Sequence, residues 1–371
     1  MSEFKLLIVG AFPPPGKIIY GGISKSCEIL LQSSLKNRFE ILTLDSSQIS
    51  NPPPRFLIRG FLAIRRIFLL FIYINKHKPQ TSLVFTSDGW SAIEKGLMIL
   101  ICKLHGIKTL VFPRAGDLIN QVSNSNLRLK LIRFLFSRCD IFLCQGQRWS
   151  DFAVKKLNID ELRVKVIGNW TATDEQICIG RDRNYKTINN VPKLIFVGWL
   201  ENFKGVFELL NACNNLKNKG IQFHLKFVGR GSAEKSAKKY VKKYNLYEYI
   251  TFCGWVDSSD LNICLAKSDI FVLPSWSEGM PNAMIEAMAA GLAIIVTSVG
   301  VITDYLQNEK HALIIPPKNI DLLEKSMHRL IMDTNFRAKI ALEGHVVAKT
   351  LFSVELNTAK LGDIMEDLIA K

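Results

Sequence analysis

The sequence predicts an α/β protein made of two doubly wound, Rossmann-like domains, each on a parallel sheet. Three observations carry that expectation. Short apolar runs of strand character alternate with helical runs as far as Ile167. The same alternation restarts at Lys193 and continues to about residue 350. Residues 168–190 between them are polar and without period, and a chain of 371 residues is about two domains long.

The elements follow in order. Lys5–Val9 reads as the first strand, Ile23–Leu35 as a helix and Glu40–Leu44 as a strand. A long helix covers 56–75. Leu83–Thr86 is a strand, Ile93–His105 a helix and Thr109–Phe112 a strand. A helix at about 127–137 precedes the strand Ile141–Cys144, and Val164–Ile167 closes a first domain spanning 1–170. Residues 171–190 are expected to be a linker. A second domain, 191–353, opens on the strand Lys193–Val197 and contains two apolar runs, Asp269–Pro274, whose apolar part starts at Ile270, and Leu292–Val296. Runs of that kind suit parallel strands buried on both faces. The tail, 354–371, has a helical pattern. There is no repeat at a solenoid period, and Pro52-Pro53-Pro54 reads as a stiff loop.

Composition narrows the class. The eight cysteines have no C-x-x-C pair and no metal spacing, so they read as small buried apolar residues of a reducing compartment. Met1-Ser2-Glu3-Phe4-Lys5 leads straight into a strand, so no signal peptide is expected and the cytosol is the default location. The net charge of +15 is uneven: residues 1–185 carry 26 Lys and Arg against 14 Asp and Glu, and the remainder 22 against 19. No nucleic-acid motif accompanies this charge, so no nucleic-acid partner is expected. An anionic membrane surface or a pyrophosphate-bearing acceptor accounts for it better. Arg59, Arg65 and Arg66 interrupt the apolar run 56–75, which argues against a membrane span. Such a helix either lies in a membrane interface or packs in the first core with its arginines outward. Leu127–Phe136 invites the same two readings.

The most informative segment is Ser277-Glu278-Gly279-Met280-Pro281-Asn282-Ala283-Met284-Ile285-Glu286-Ala287-Met288-Ala289-Ala290-Gly291. It joins two apolar strands and reads as a loop followed by a helix of small residues. The opening N–H groups of a helix lack intrahelical partners and carry the positive end of its dipole, which suits a diphosphate. Gly279 lets the backbone come close. Pro281 suits the first helical position, where its missing N–H costs little. Glu286 can accept from a ribose diol, and Glu278 can hold sugar hydroxyls.

These residues resemble the nucleotide-sugar site of the retaining glycosyltransferases of family 4, whose GT-B fold has two Rossmann-like domains facing a central cleft. The resemblance covers most of 190–345 and, more loosely, 1–185. It implies that the second domain binds the nucleotide and that the tail helix packs back on the first domain. It also implies that no metal or other cofactor is needed, in keeping with the lack of a D-x-D motif. Gly198-Trp199-Leu200-Glu201-Asn202-Phe203-Lys204-Gly205 resembles the family's Gly-Arg-Leu and Lys-Gly segment, with Trp199 where the family has Arg. By resemblance Lys204 neutralises the leaving diphosphate, and Arg230 is a candidate for the missing charge. Val256 lies where the family's backbone touches the base, and Asp304 stands where a Glu is common.

In the first domain Pro13-Pro14-Pro15-Gly16, Gly21 and Gly22 follow the first strand, and the resemblance places the pair Gly21-Gly22 near the donor's phosphate and sugar. Arg114 occupies the position of a family histidine that lines the donor sugar, and Asp117 and Asn169 match family positions. The expected catalytic residues are therefore Glu278, Lys204 and Arg114. The expected donor-binding set is Gly21, Gly22, Gly198, Lys204, Arg230, Val256, Glu278, Gly279, Met280, Pro281, Asn282 and Glu286. The implied activity is transfer of a sugar, with retention, from a nucleotide-sugar to a glycan acceptor on a lipid. Such a reaction belongs to surface polysaccharide assembly, with peripheral contact at the inner face of an anionic cell membrane. Two alternatives stand beside it: a non-catalytic nucleotide-sugar-binding protein, and a nucleotide-sugar epimerase of the same fold.

Overall fold

The computed structural model describes residues 4–12, 21–47, 54–114, 116, 118–185 and 191–370. The chain divides into two units, Met1–Thr171 with Val354–Lys371, and Ala172–Ser353.

The first unit runs β1 (Phe4–Gly10), α1 (Gly22–Gln32), β2 (Phe39–Asp45), α2 (Phe56–His77), β3 (Thr81–Thr86), α3 (Trp90–Leu104) and β4 (Lys108–Pro113). It continues with α4 (Leu118–Ser123), α5 (Asn126–Phe136), β5 (Ile141–Cys144), α6 (Gln147–Lys155) and β6 (Val164–Val166). Its six strands pair in parallel in the order β2-β1-β3-β4-β5-β6. Helices α4 and α6 have no counterpart in the sequence reading; each is under three turns long, too short for a clear period. The core under α1 is apolar and aromatic, with Leu6, Ile8, Phe85, Phe112 and Trp170 buried together. Trp170 satisfies its ring N–H by donating to the Ser26 carbonyl at 2.9 Å.

The second unit runs α7 (Asp174–Arg181), β7 (Lys193–Val197), α8 (Val206–Asn218), β8 (His224–Val228), α9 (Glu234–Lys243), β9 (Ile250–Gly254), α10 (Ser258–Ala266) and β10 (Ile270–Leu273). Then come α11 (Asn282–Ala289), β11 (Ala293–Thr297), α12 (Ile302–Tyr305), β12 (Leu313–Ile315), α13 (Ile320–Met332) and α14 (Thr334–Leu351). Its sheet, also parallel, has the order β12-β11-β10-β7-β8-β9. β10 and β11 are buried along their whole length, as their unbroken apolar sequence requires.

The expected linker is corrected. Thr173 Oγ1 accepts from the Gln176 N–H (3.4 Å), and the Gln176 side chain accepts from the Thr173 N–H (3.2 Å). This capping box starts α7 inside the second unit. Gln176 also donates to Asn262 at 3.1 Å, and Arg183 donates to the carbonyls of Ala290, Ser268 and Leu265. Only Gln176 and Gly180 of α7 are buried, so it shows no apolar stripe; its Thr-x-x-Gln cap was the legible signal. Residues 186–190, Pro52 and Pro53 lie outside the described residues.

α15 (Val354–Ile369) returns to the first unit and buries Leu361 and Met365 in that unit's core. Arg38 holds it: its guanidinium donates to both Glu366 oxygens (2.8 and 2.6 Å), to Asp363 (2.8 Å) and to the Ala359 carbonyl (3.1 Å). The hydrogen bond from Arg38 holds the Glu366 carboxyl below its usual 4.5. A depressed carboxyl adds stability above its unfolded value, and that stability is lost as the pH falls through the folded one. Arg38→Ala is therefore expected to destabilise the first unit at neutral pH by about 1 kcal/mol, allowing for the exposure of its partners. Thermal melts should show the gap to wild type closing below about pH 4.5; a gap independent of pH would assign the loss to packing instead.

Candidate active site

In a doubly wound sheet the strand order reverses at one place, and the strands' carboxyl ends splay there into a crevice. In the second unit that place lies between β7 and β10. The loops leaving these two strands, 198–205 and 274–281, carry Lys204 and Glu278.

The two loops are locked together. Lys204 Nζ lies 2.6 Å from Glu278 Oε1, and both side chains are mostly buried. Ser275 Oγ donates to the same carboxylate oxygen at 2.8 Å. The Trp276 N–H donates to the Phe203 carbonyl (2.7 Å), and the Trp276 ring N–H to Glu208 (2.8 Å) in the first turn of α8. Gly205 has φ 74°, and a Cβ there would overlap the Pro274 carbonyl oxygen. The turn after β11 supports the second loop: Thr297 Oγ1 donates to the Ser275 carbonyl (2.6 Å), and the Val301 N–H to the Gly279 carbonyl (3.1 Å). Sequence reasoning placed Lys204 and Glu278 on separate tasks and missed their pairing. It missed Ser275, Thr297 and the Trp276–Glu208 bond as well. The aromatic in Ser275-Trp276-Ser277 was the one signal for them.

α11 begins directly after this loop. Pro281 is its N-cap, one position earlier than expected, and offers no side-chain acceptor to the opening turn. The positive end of the helix is thus left without a side-chain cap next to the Lys204–Glu278 pair. Glu286 is 5% exposed, and Met280 is also buried, so Met280 can offer a ligand mainly its backbone. One carboxylate balances Lys204, so an arriving anion would share the ammonium with Glu278.

A further group of expected residues gathers at the ends of β7, β8 and β9. Gly198 donates to the Val228 carbonyl at 3.0 Å, and a Cβ on Gly229 would overlap the Gly198 carbonyl. Arg230 is exposed, with its guanidinium against Gly254, two residues before the half-buried Val256. Trp199 packs edge-on against Trp255, ring centres 4.8 Å apart.

Arg114 belongs to the first unit. Its guanidinium lies over the rings of Phe112 (5.2 Å) and Trp170 (5.5 Å) and donates to Ser26 Oγ at 2.9 Å. Ser26 in turn donates to the Gly22 carbonyl at 2.9 Å, which ties Arg114 to the exposed Gly21-Gly22 start of α1. Burial lowers Arg114 to about 10, and it pushes the neighbouring Cys27 thiol up to about 12. Arg114 stays a cation at neutral pH and Cys27 a thiol. Asn169 is buried and accepts from Gln145 at 2.8 Å. Pro13–Gly16 and Asp117 lie outside the described residues.

Comparison with known proteins shows what this chain is similar to. Residues 180–345 match the family described as Glycosyl transferases group 1. The chain is 24% identical to the putative colanic acid biosynthesis glycosyltransferase WcaL of Escherichia coli, over 47% of this chain and 45% of that one. It thus spans about half the length of that relative and of several other curated relatives it matches. It is also 24% identical to an E. coli UDP-Gal:alpha-D-GlcNAc-diphosphoundecaprenol alpha-1,3-galactosyltransferase, over 76% of each chain. Among solved structures it resembles sucrose-phosphate synthase from Thermosynechococcus elongatus at 16% identity, covering 99% of this chain and 100% of that one, with a TM-score of 0.80. That likeness shows the GT-B fold. The match to the glycosyl transferases group 1 is confined to residues 180–345, which hold Lys204, Glu278 and Glu286.

Proposed function

We propose that this chain is a glycosyltransferase that moves a sugar, with retention, from a nucleotide-sugar donor to a lipid-linked glycan acceptor in surface polysaccharide assembly. The observation that carries the reading is the Lys204–Glu278 pair at the β7/β10 crevice, beside the uncapped start of α11. The donor's diphosphate binds the helix start and Lys204. Glu286 holds the ribose, Glu278 the sugar hydroxyls, and the backbone near Val256 the base. Gly198 and Gly279 let backbone reach the phosphates, and Arg230 adds charge to them. Pro281 and Asn282 shape the turn, with Met280 buried beneath it. Lys204 and the helix dipole neutralise the leaving diphosphate without a metal ion. That diphosphate accepts the acceptor's proton on the face it leaves, which gives retention.

By the resemblance the first unit handles the acceptor, and Gly21, Gly22 and Arg114 take part in holding the donor sugar. The relative named for a diphosphoundecaprenol substrate supports an acceptor on a lipid diphosphate, and the basic first half of the chain fits an anionic membrane.

The test is nucleotide release from UDP-, GDP-, ADP- and TDP-sugars in the presence of membrane lipid extract. Release from one donor, lost in Glu286→Ala, is the expected result. One observation favours binding without turnover: Trp199 stands where the resemblance has Arg and is engaged with Trp255. Tight donor binding with no release under any extract would establish that reading, and donor isomerisation without acceptor would establish an epimerase.

A further inference from the structure

We propose that the outward face of α2, extended by α3 and α5, docks flat on an anionic lipid surface. The helix α2 is apolar on two sides. Leu70 and Ile74 are buried against the unit, while Leu57, Phe61, Ile64 and Phe68 are 82, 68, 69 and 63% exposed. Their spacing of four, three and four residues puts these four on one stripe, which Phe71 and Ile72 continue. A stripe of this kind on a water-soluble surface marks an interaction face.

The helix is fixed in this orientation. Arg66 donates to both oxygens of Glu94 on α3, at 2.6 and 2.9 Å, and Lys95 Nζ lies 3.2 Å from the same carboxylate. Phe56 meets Trp90 edge-on at the start of α3, with ring centres 5.5 Å apart. A rotation that buried the stripe would break the bidentate pair and expose Leu70 and Ile74.

The neighbouring helices extend the face. α3 packs against both α2 and α5, and Gly96 admits Leu135 of α5 so closely that a Cβ there would overlap it. α5 presents Leu127, Leu131 and Phe134, spaced four and three, and α3 presents Trp90.

Charge identifies the occupant. Arg59, Arg65 and Lys76 are exposed along α2 with Arg55 at its N-cap, and Arg128 and Lys130 are exposed along α5 with Arg138 just beyond its end. Neither helix contains an acidic residue, and the single acid of α3, Glu94, is buried under Arg66 and Lys95. A protein partner or a second copy would be expected to meet a patterned mixture of charges, whereas cations alone around an apolar stripe match anionic headgroups over acyl chains. No helix among the described residues is long and apolar enough to cross a membrane, so α2 lies in the interface.

The proposal rests on the reading above only for its purpose, since binding is measured without donor or acceptor. Purified full-length protein is floated with vesicles of phosphatidylcholine alone and with vesicles carrying roughly one-third phosphatidylglycerol. Binding is expected to the second and to weaken as salt rises. Arg59→Gln with Arg65→Gln should lower the partition coefficient about fivefold per arginine. Phe61→Ser with Phe68→Ser should lower it at least about tenfold, with an unchanged melting temperature and unchanged donor-dependent nucleotide release in detergent. Equal binding to both vesicles, or none to either, overturns the proposal. A dimer in solution that the Phe61/Phe68 variant splits also overturns it and makes the stripe a self-association face. Lost nucleotide release with vesicle binding intact would count against the transferase reading and leave this one standing.

Discussion

Replacing Lys204 by alanine is expected to lower turnover about 10²–10³-fold, the usual cost of removing one preorganised donor from a site where negative charge develops. The ammonium sits where the two interlocked loops meet, 2.6 Å from Glu278 and 5.5 Å from the centre of the Phe203 ring. It is therefore held in place before any ligand arrives. In the proposed transfer, charge on the leaving diphosphate grows toward the transition state, so the loss should fall mainly on kcat and less on KM. Lys204→Arg should recover only part of the activity, because a planar fork does not reproduce a compact point charge beside Ser275 and Glu278. Lys204→Ala also leaves the mostly buried Glu278 carboxylate without its cation, which costs about 1–3 kcal/mol of stability. Melting curves and donor titrations separate the two effects. Ser275→Ala removes one hydrogen bond to Glu278 and keeps the charge, so its effect on turnover should be far smaller. Turnover of Lys204→Ala within threefold of wild type, with chelator present, would falsify the role given to this lysine.

Much of this site was legible in the sequence because its signals are local. The apolar runs flanking 277–291 marked two buried parallel strands, and the small residues between them marked a helix that starts at the end of the first. Lys204-Gly205 was legible for the same reason, as a loop directly after a strand. The contacts that organise the site were not local. Lys204 and Glu278 are 74 positions apart, and Glu208 and Trp276 are 68 apart. Their meeting depends on β7 and β10 becoming neighbours at the sheet's reversal, which no short window of sequence contains. Arg114 shows the opposite limit. The strand just before it was legible. Its surroundings were not, because Phe112, Trp170 and Ser26 come from three separate elements. The apolar run 56–75 left two readings open, core or interface. The structure shows why both had support: α2 buries one apolar face and exposes another.

Glycines at the two ends of α8 isolate what close approach of the loops contributes. Gly205 and Gly220 have the same φ, 74°, so an added Cβ meets the same backbone strain of about 1–2 kcal/mol at either end. Their surroundings differ completely. Nothing lies within 4 Å of a Cβ on Gly220, whereas one on Gly205 would overlap the carbonyl of Pro274. That carbonyl is backbone, in the loop that carries Ser275 and Glu278, and it cannot move aside as a flexible side chain would. Gly220→Ala should therefore cost only the strain, with activity intact. Gly205→Ala should cost about 2–5 kcal/mol in the second unit. It should also lose most turnover, because relieving the overlap pushes the Lys204 loop away from the Glu278 loop. Gly300→Ala provides a second displacement of the same loop from the opposite side, since its Cβ would overlap the carbonyls of Glu278 and Gly279. If the site depends on the loops' mutual register, the variants at 205 and 300 lose turnover together and beyond what their stability predicts, while the variant at 220 does not. Equal losses at 205 and 220 would mean that the strained turn matters and the approach does not. The Lys204–Glu278 pair would then be a consequence of folding and not the element that arranges the donor.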